Sequence, residues 1–368
     1  VQTCALPIYS LISEGRASVE QLATSQETPT WENFAIKLED HSEKLGRAWG
    51  QVGHMNSVVN SPELREAYND NLQKLTDFGC DLSQDKRLYA KFKTIQTSVD
   101  FKNLTPTQQT IINHEVRDFK LGGAELPTDQ KARFKEVSER LSKLSSKFEE
   151  NIMDNTNDFT HTVETADALA GLPADVIEAA ADAAKVAGKT GYQFSLHYPS
   201  YLPVMQYAEN RALRETLCRA FSTRASELSK PEWDNTNLIN DILKLKKEEA
   251  NMLGFKNFAE LSLATKMADT PEQVSEFLDT LAQRAKPYAE RDMKELTAHA
   301  KSLGLDDMQA WDVGYVGEKL RQEKYAFSDQ EVKQYFPEEN VLAGLFKVTE
   351  TIFGVKVQKA ETPLWHDD

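Results

Sequence analysis

The search for chemistry begins at His114-Glu115, the single His-Glu pair in the chain. A zinc-binding helix of the H-E-x-x-H type sets two imidazoles one turn apart on one metal, with the Glu beside the bound water. Here the residue one turn after His114 is Asp118, not a histidine. His and Asp at that spacing can ligate a metal in principle. The same segment carries Ile112, Val116 and Phe119 at helical spacing, however, so its polar side is read as a solvated face. His41, His54, His161, His197, His299 and His366 stand at no metal-binding spacing from one another or from a cysteine.

Other reactive patterns are equally incomplete. Gly188-Lys189-Thr190 resembles the end of a phosphate loop, but the pattern needs a glycine where Ala183 stands. No G-x-G-x-x-G or G-x-S-x-G occurs, so neither a dinucleotide fold nor a hydrolase elbow is supported. The acidic pairs Glu248-Glu249, Asp306-Asp307, Glu338-Glu339 and Asp367-Asp368 read as solvated surface. Cys4, Cys80 and Cys218 make no C-x-x-C pair and no disulfide framework, which fits a reducing, cytoplasmic setting.

The elements that would position any site are mainly helical. Ser61-Pro62, Thr105-Pro106-Thr107-Gln108, Thr270-Pro271-Glu272-Gln273 and Ser328-Asp329-Gln330-Glu331 all read as helix starts, the middle two as capping boxes. Apolar stripes follow at spacings of three and four: Ile112, Val116 and Phe119; Phe134, Val137, Leu141, Leu144, Phe148 and Ile152; Val274, Phe277, Leu278, Leu281 and Ala285. Each stripe is expected to bury against a neighbouring helix. Asp158 to Glu164 and Tyr192 to Tyr198 alternate and read as strands, flanking an Ala-rich helix from Pro173 to Val186 that Gly188 ends. If the strands pair, the rings of His161 and His197 come within reach of each other; satisfied structural roles are the reading for both. Val355 to Lys359, after Gly354, reads as a third strand.

At 368 residues the chain is long enough for two domains of ordinary size. Its formal charge of −15 argues against nucleic acid and anionic membranes, because phosphate binding needs clustered Lys and Arg. No stretch approaches the roughly 18 apolar residues of a membrane helix. Val1 to Ser10 lacks the basic and apolar regions of a signal peptide and reads as a non-native leader.

Three stretches are more specific. The first is Pro199-Ser200-Tyr201-Leu202-Pro203-Val204-Met205, with Ala212-Leu213-Arg214 and Phe221 to Ser226. The second is Leu253-Gly254-Phe255 leading to Leu263 through Ala268. The third is Trp311-Asp312, Tyr315, Leu320 to Tyr325, Tyr335-Phe336-Pro337, Gly344-Leu345-Phe346 and Phe353-Gly354-Val355. In this order, and with Asn56-Ser57-Val58, Ser61 to Tyr68 and Arg117-Asp118-Phe119 before them, they resemble the thimet oligopeptidase family of zinc metallopeptidases, from about Ser18 to Asp368. One departure is Tyr315-Val316, where the family often has two adjacent tyrosines.

The resemblance implies a mainly α, multi-helical, two-lobed metallopeptidase with a deep channel for short unfolded peptides and a small β element near the lobe junction. It implies an N-terminal helical domain over 11–155, a strand-helix-strand junction over 156–207, and the start of the catalytic domain over 208–368. In the family the H-E-x-x-H helix, the third ligand Glu and the His and Tyr that bind the transition state lie downstream of the stretch matching Trp365-His366. The zinc ligands are thus expected beyond Asp368, with no catalytic, metal or substrate-binding residue assigned here. A zinc-bound water would attack the peptide carbonyl with the motif Glu as base. The chain alone is expected to be inactive, and the intact protein to be monomeric. The competing reading is a non-enzymatic helical module that binds peptides or scaffolds a partner. A third, an unfamiliar metal site, has only His114 and His161/His197 behind it.

Overall fold

The computed structural model describes residues 2–326 and 329–361. Helices dominate: α1 (Gln2–Thr24), α2 (Ile36–Val58), α3 (Pro62–Ser83), α4 (Lys86–Thr97), α5 (Pro106–Leu121) and α6 (Thr128–Asp158) come first. Strand β1 (Thr160–Val163), α7 (Ala174–Val186) and strand β2 (Tyr192–Ser195) follow. The remainder is α8 (Tyr198–Tyr207), α9 (Arg211–Ser222), α10 (Thr236–Met252), α11 (Phe258–Leu263), α12 (Pro271–Ser302), α13 (Val313–Tyr325), α14 (Asp329–Lys333) and α15 (Glu338–Phe353). No helix among the described residues is long and apolar enough to cross a membrane. The chain divides into two units, Val1–Asn155 with Arg224–Ala282, and Thr156–Thr223 with Gln283–Asp368.

The helix starts follow local chemistry. Ser61 caps α3, its hydroxyl accepting from the Leu64 N–H, with Pro62 in the first turn where no bonded N–H is lost. The box on α5 is complete: Thr105 Oγ1 accepts from Gln108 N, and Gln108 Oε1 accepts from Thr105 N at 2.9 Å. On α12 the box is shifted, because Gln273 Oε1 reaches the N–H of Asp269 rather than that of Thr270. Ser328, the fourth expected cap, lies outside the described residues, as does Leu364-Trp365-His366.

The first unit is organised around two apolar clusters. Leu38 of α2, Leu88 and Phe92 of α4, and Ile112, Val116 and Phe119 of α5 meet in one. The Phe92 ring lies 4.9 Å from Phe34 and 5.6 Å from Phe119. Each such buried side chain contributes about 1.5–3 kcal/mol. Ile8, Ile12, Leu45, Val52 and Phe78 form the other, so Ile8, within the stretch expected to be a leader, is buried in a core. The long stripe on α6 is buried only at Phe134 and Val137; further along, the fully buried positions are Glu150 and Asn151. The reason is a polar seam with α3, where Arg65 grips Asp154 and Asn69 donates to Glu150. Asn151 then donates to Asn235, and Asn155 accepts from the Ala225 N–H.

In the second unit β1 and β2 pair antiparallel, as their alternation predicts. Gly191 opens β2 at φ +92°, and a Cβ there would stand 2.4 Å from the Val163 carbonyl oxygen, so only glycine fits. Phe194, Val204, Leu213 and Leu217 form the core beneath the sheet. α7 ends as expected, with Gly188 at φ +67°. The expected strand over Val355 to Lys359 is not formed: Gly354 ends α15, and the Val357 N–H donates to Glu350 of that helix instead of to a strand.

One ion cluster ties sequence-distant parts of this unit together. Asp312 is fully buried and receives Arg214 Nη2 at 2.7 Å, Arg211 Nη2 at 2.7 Å and the Gln309 N–H at 2.9 Å. Arg214, itself 1% exposed, also donates to the carbonyls of Ala208 and Trp311, and its guanidinium lies 4.2 Å from the Tyr315 ring centroid. Burial pushes the Asp312 carboxyl up, but the bonds from Arg211, Gln309 and Arg214 outweigh it and hold it below the usual carboxylate range.

The stripe on α12 departs most from expectation. Phe277 is 63% exposed, Leu278 56% and Leu281 49%, and no described residue covers them. Val341, Leu345, Ile352 and Phe353 of α15 are exposed as well. Periodicity identifies an apolar helix face but not whether a neighbour is present to bury it.

Two outcomes follow from these contacts. Asp312→Asn leaves Arg214 buried without a counter-charge and should cost the second unit about 3–5 kcal/mol in urea unfolding. Because the Asp312 pKa is lowered on folding, its contribution is present above the unfolded value of about 3.9 and lost as pH falls through the folded one. Acid unfolding of wild type below pH 4 should therefore be steeper than that of the Asn variant. On α12, Leu281→Lys should change stability by less than about 0.5 kcal/mol, where burying that leucine in a core would make the loss several-fold larger, and it should reduce binding of an apolar dye.

Candidate functional site

In the first unit a groove lies between α2 and α5. A π-helical turn over Trp31–Ala35, capped by Thr30, leads into α2. Ala35, Leu38, Glu39 and Ser42 then present one face at helical spacing. Across from them Ile111, His114, Glu115 and Asp118 present the matching face of α5. Trp31, Leu82, Ser83, Phe92 and Phe119 complete a cavity of about 670 Å³.

α5 holds its face in place from both ends. Its N-terminus is fixed by the capping box, and its C-terminus by the Ala124 N–H donating to Phe119 and by Gly123 at φ +90°. Ile112, Val116 and Phe119 anchor the helix in the core, which turns the adjacent Ile111-Glu115-Asp118 row toward the groove. Glu115 is half-buried. Burial, with the carboxylates of Glu39 and Asp118 nearby, pushes its carboxyl up to about 7. Asp118 is half-exposed and held by its neighbour Arg117 at 2.7 Å. Among the described residues, no lysine or arginine lines the cavity.

Reading this helix's polar side as a solvated face was therefore right for exposed His114 and wrong for Glu115. The signal in the sequence is the 35/38/39/42 and 111/114/115/118 pairing, two faces of identical spacing that mix acidic with apolar residues. Glu249 departs from expectation in the same way: it is half-buried with its pKa raised by burial, while Glu248 pairs with Arg133 at 2.7 Å.

His114, Glu115 and Asp118 do not fit zinc. A second imidazole is missing from the set, and Asp118 is engaged by Arg117. Among the described residues no group of three or more His, Cys, Asp or Glu is placed to hold a metal ion. The strands pair, but the register sets Phe194, not His197, opposite His161. His197 instead occupies the N-cap position of α8, where its backbone carbonyl, not its ring, accepts from the Ser200 and Tyr201 N–H groups. Gly188-Lys189-Thr190 follows the end of α7, where a phosphate loop would open a helix. The Cys80 thiol is buried, and burial pushes it up, away from thiolate reactivity.

Asp118 and Phe119, from one of the stretches carrying the family resemblance, line this groove; several of the other such residues cluster in the second unit. Arg214, Trp311, Asp312 and Tyr315 all belong to the buried ion cluster, and Arg219 lies over the Trp311 ring. Tyr201 stacks on Phe221 at 4.2 Å. Val316, at the departure from the tyrosine pair, is fully buried. These are packing and ion-pair roles, not reactive ones.

Comparison with known proteins agrees with that resemblance. Residues 204–368 match peptidase family M3, and residues 8–131 match the neurolysin/thimet oligopeptidase N-terminal domain. The chain is 42% identical over 365 residues to oligopeptidase A of Haemophilus influenzae, covering 98% of this chain and 54% of that protein. For oligopeptidase A of Escherichia coli the identity is 39%, with the same coverage. For the organellar oligopeptidase A of Arabidopsis thaliana it is 36%, covering 98% of this chain and 46% of the relative. The chain thus spans about half the length of these relatives. It belongs to the thimet oligopeptidase family of metallopeptidases, peptidase family M3, and corresponds to the N-terminal part of its members.

Proposed function

We propose that this chain is the non-cutting part of a zinc oligopeptidase, the part that forms wall and limits access for short unfolded peptides, while the metal-binding helix comes from polypeptide outside these 368 residues. The observation that carries this reading is the pairing of near-complete coverage of this chain with coverage of only about half of each relative. The sequence has no H-E-x-x-H, and its one His-Glu pair lies on a helix in the region matching the N-terminal domain, not the peptidase region.

The uncovered apolar faces support it. A monomeric protein rarely leaves a large continuous apolar surface in water. Phe277, Leu278 and Leu281 on α12, and Leu345, Ile352 and Phe353 on α15, are the kind of surface that further chain would bury. At about 25 cal/mol per Å² of apolar area, covering even one such face contributes several kcal/mol to docking. The alternative of a free-standing peptide-binding or scaffolding module requires those faces to meet a separate partner.

The test is a cleavage assay with an internally quenched short peptide and added zinc. The chain alone should give no turnover above buffer, and a chelator should change nothing. Turnover proportional to the amount of chain and abolished by chelation would place the catalytic residues within it and overturn the reading.

A further inference from the structure

We propose that the groove between α2 and α5 binds a small organic cation, a protonated amine carried on an aromatic or branched aliphatic stem. This is a site separate from any peptidase chemistry, and it does not rest on the reading above.

The argument is one of shape and charge together. The cavity, about 670 Å³, lies within the range of small-molecule sites. Trp31, Leu38, Phe92, Ile111 and Phe119 give it apolar walls, three of them aromatic. An apolar cavity alone would accept any greasy ligand. This one also carries Glu39 on one wall and Glu115 and Asp118 on the other, with no lysine or arginine among its lining residues. Only Asp118 has a cationic partner, Arg117. His114 is the remaining titratable group at the site, and it is exposed.

Two carboxylates on facing walls, one of them half-buried, repel each other and lose hydration. A bound ammonium would relieve both costs, and its stem would displace water from the aromatic walls. Cation–aromatic attraction adds to this. An anion would add a further like charge, and a neutral ligand would leave the carboxylates uncompensated. The groove therefore selects for positive charge on an apolar body.

Glu115 gives the site a proton dependence. Its carboxyl, pushed up to about 7, is mostly charged at pH 8 and mostly protonated at pH 6. A cation binds the charged form, so binding near pH 7 should release protons, and affinity should fall about tenfold from pH 8 to pH 6.

The experiment is calorimetric titration of the 368-residue chain with phenethylamine, benzyl alcohol and phenylacetate at pH 8 and pH 6, in two buffers of different ionisation enthalpy. Phenethylamine should bind at least about tenfold more tightly than the other two at pH 8, weaken about tenfold at pH 6, and release protons near pH 7. Glu115→Gln should lose most of the amine preference and the pH dependence while keeping residual apolar binding. As a folding control, Glu115→Gln should raise the melting temperature at pH 8 and raise it progressively less as pH falls towards 4, because a carboxyl whose pKa is raised on folding destabilises the fold wherever the unfolded chain carries it charged, above about 4.3. Equal binding of amine and alcohol, an affinity indifferent to pH, unchanged binding by a folded Glu115→Gln variant, or no binding of phenethylamine would each overturn the proposal.

Discussion

The second unit depends on one buried charge. Asp312 has no exposed surface, and it is stable there only because Arg214, Arg211 and a backbone N–H surround it. An unpaired carboxylate at that depth would cost far more than any single apolar contact returns. The same cluster spans the long sequence interval between α9 and the start of α13, joining two of the stretches that carry the family resemblance. Arg214 further satisfies two carbonyls and lies over Tyr315, so one guanidinium fixes backbone, carboxylate and ring at once. The motif residues here hold shape, and that role accounts for their lack of reactive geometry.

Much of the fold is legible in the sequence where the signal is local. Ser61, Thr105 and Thr270 mark helix starts because a hydroxyl followed by proline solves the first-turn donor problem on the spot. The strands at Thr160 and Tyr192 are readable from alternation, and Gly188 from the need for a left-handed helix stop. What fails to read through is anything set by distant partners. The α12 stripe is regular in period, yet Phe277, Leu278 and Leu281 have no cover among the described residues. Val355 to Lys359 has strand composition, yet the Val357 N–H is taken by Glu350. His161 lies in β1 and His197 just past β2, but register, which no single strand encodes, puts Phe194 opposite His161.

The groove illustrates the same limit at the level of a site. His114-Glu115 draws attention for metal chemistry that its neighbours cannot complete. The groove becomes visible only when the α5 face is set against the equally spaced face of α2, some 70 residues earlier in the chain. The clue in the sequence was a carboxylate immediately beside an apolar stripe, where partial burial makes charge expensive. Fold-level kinship to peptidases says nothing about such a cavity, because function resides in particular sites and not in the architecture that carries them.

The central claim is that the uncovered faces of α12 and α15 are made to be covered by further chain of the same protein. The most direct measurement is amide hydrogen exchange at residues 277–288 and 341–353, before and after adding the part of the Haemophilus influenzae oligopeptidase A that follows the region matched here. The account predicts association with slowed exchange at both segments and none at α5, whose apolar face is already buried. Failure to associate, or protection confined to other surfaces, would contradict it and favour a free-standing module with a different partner.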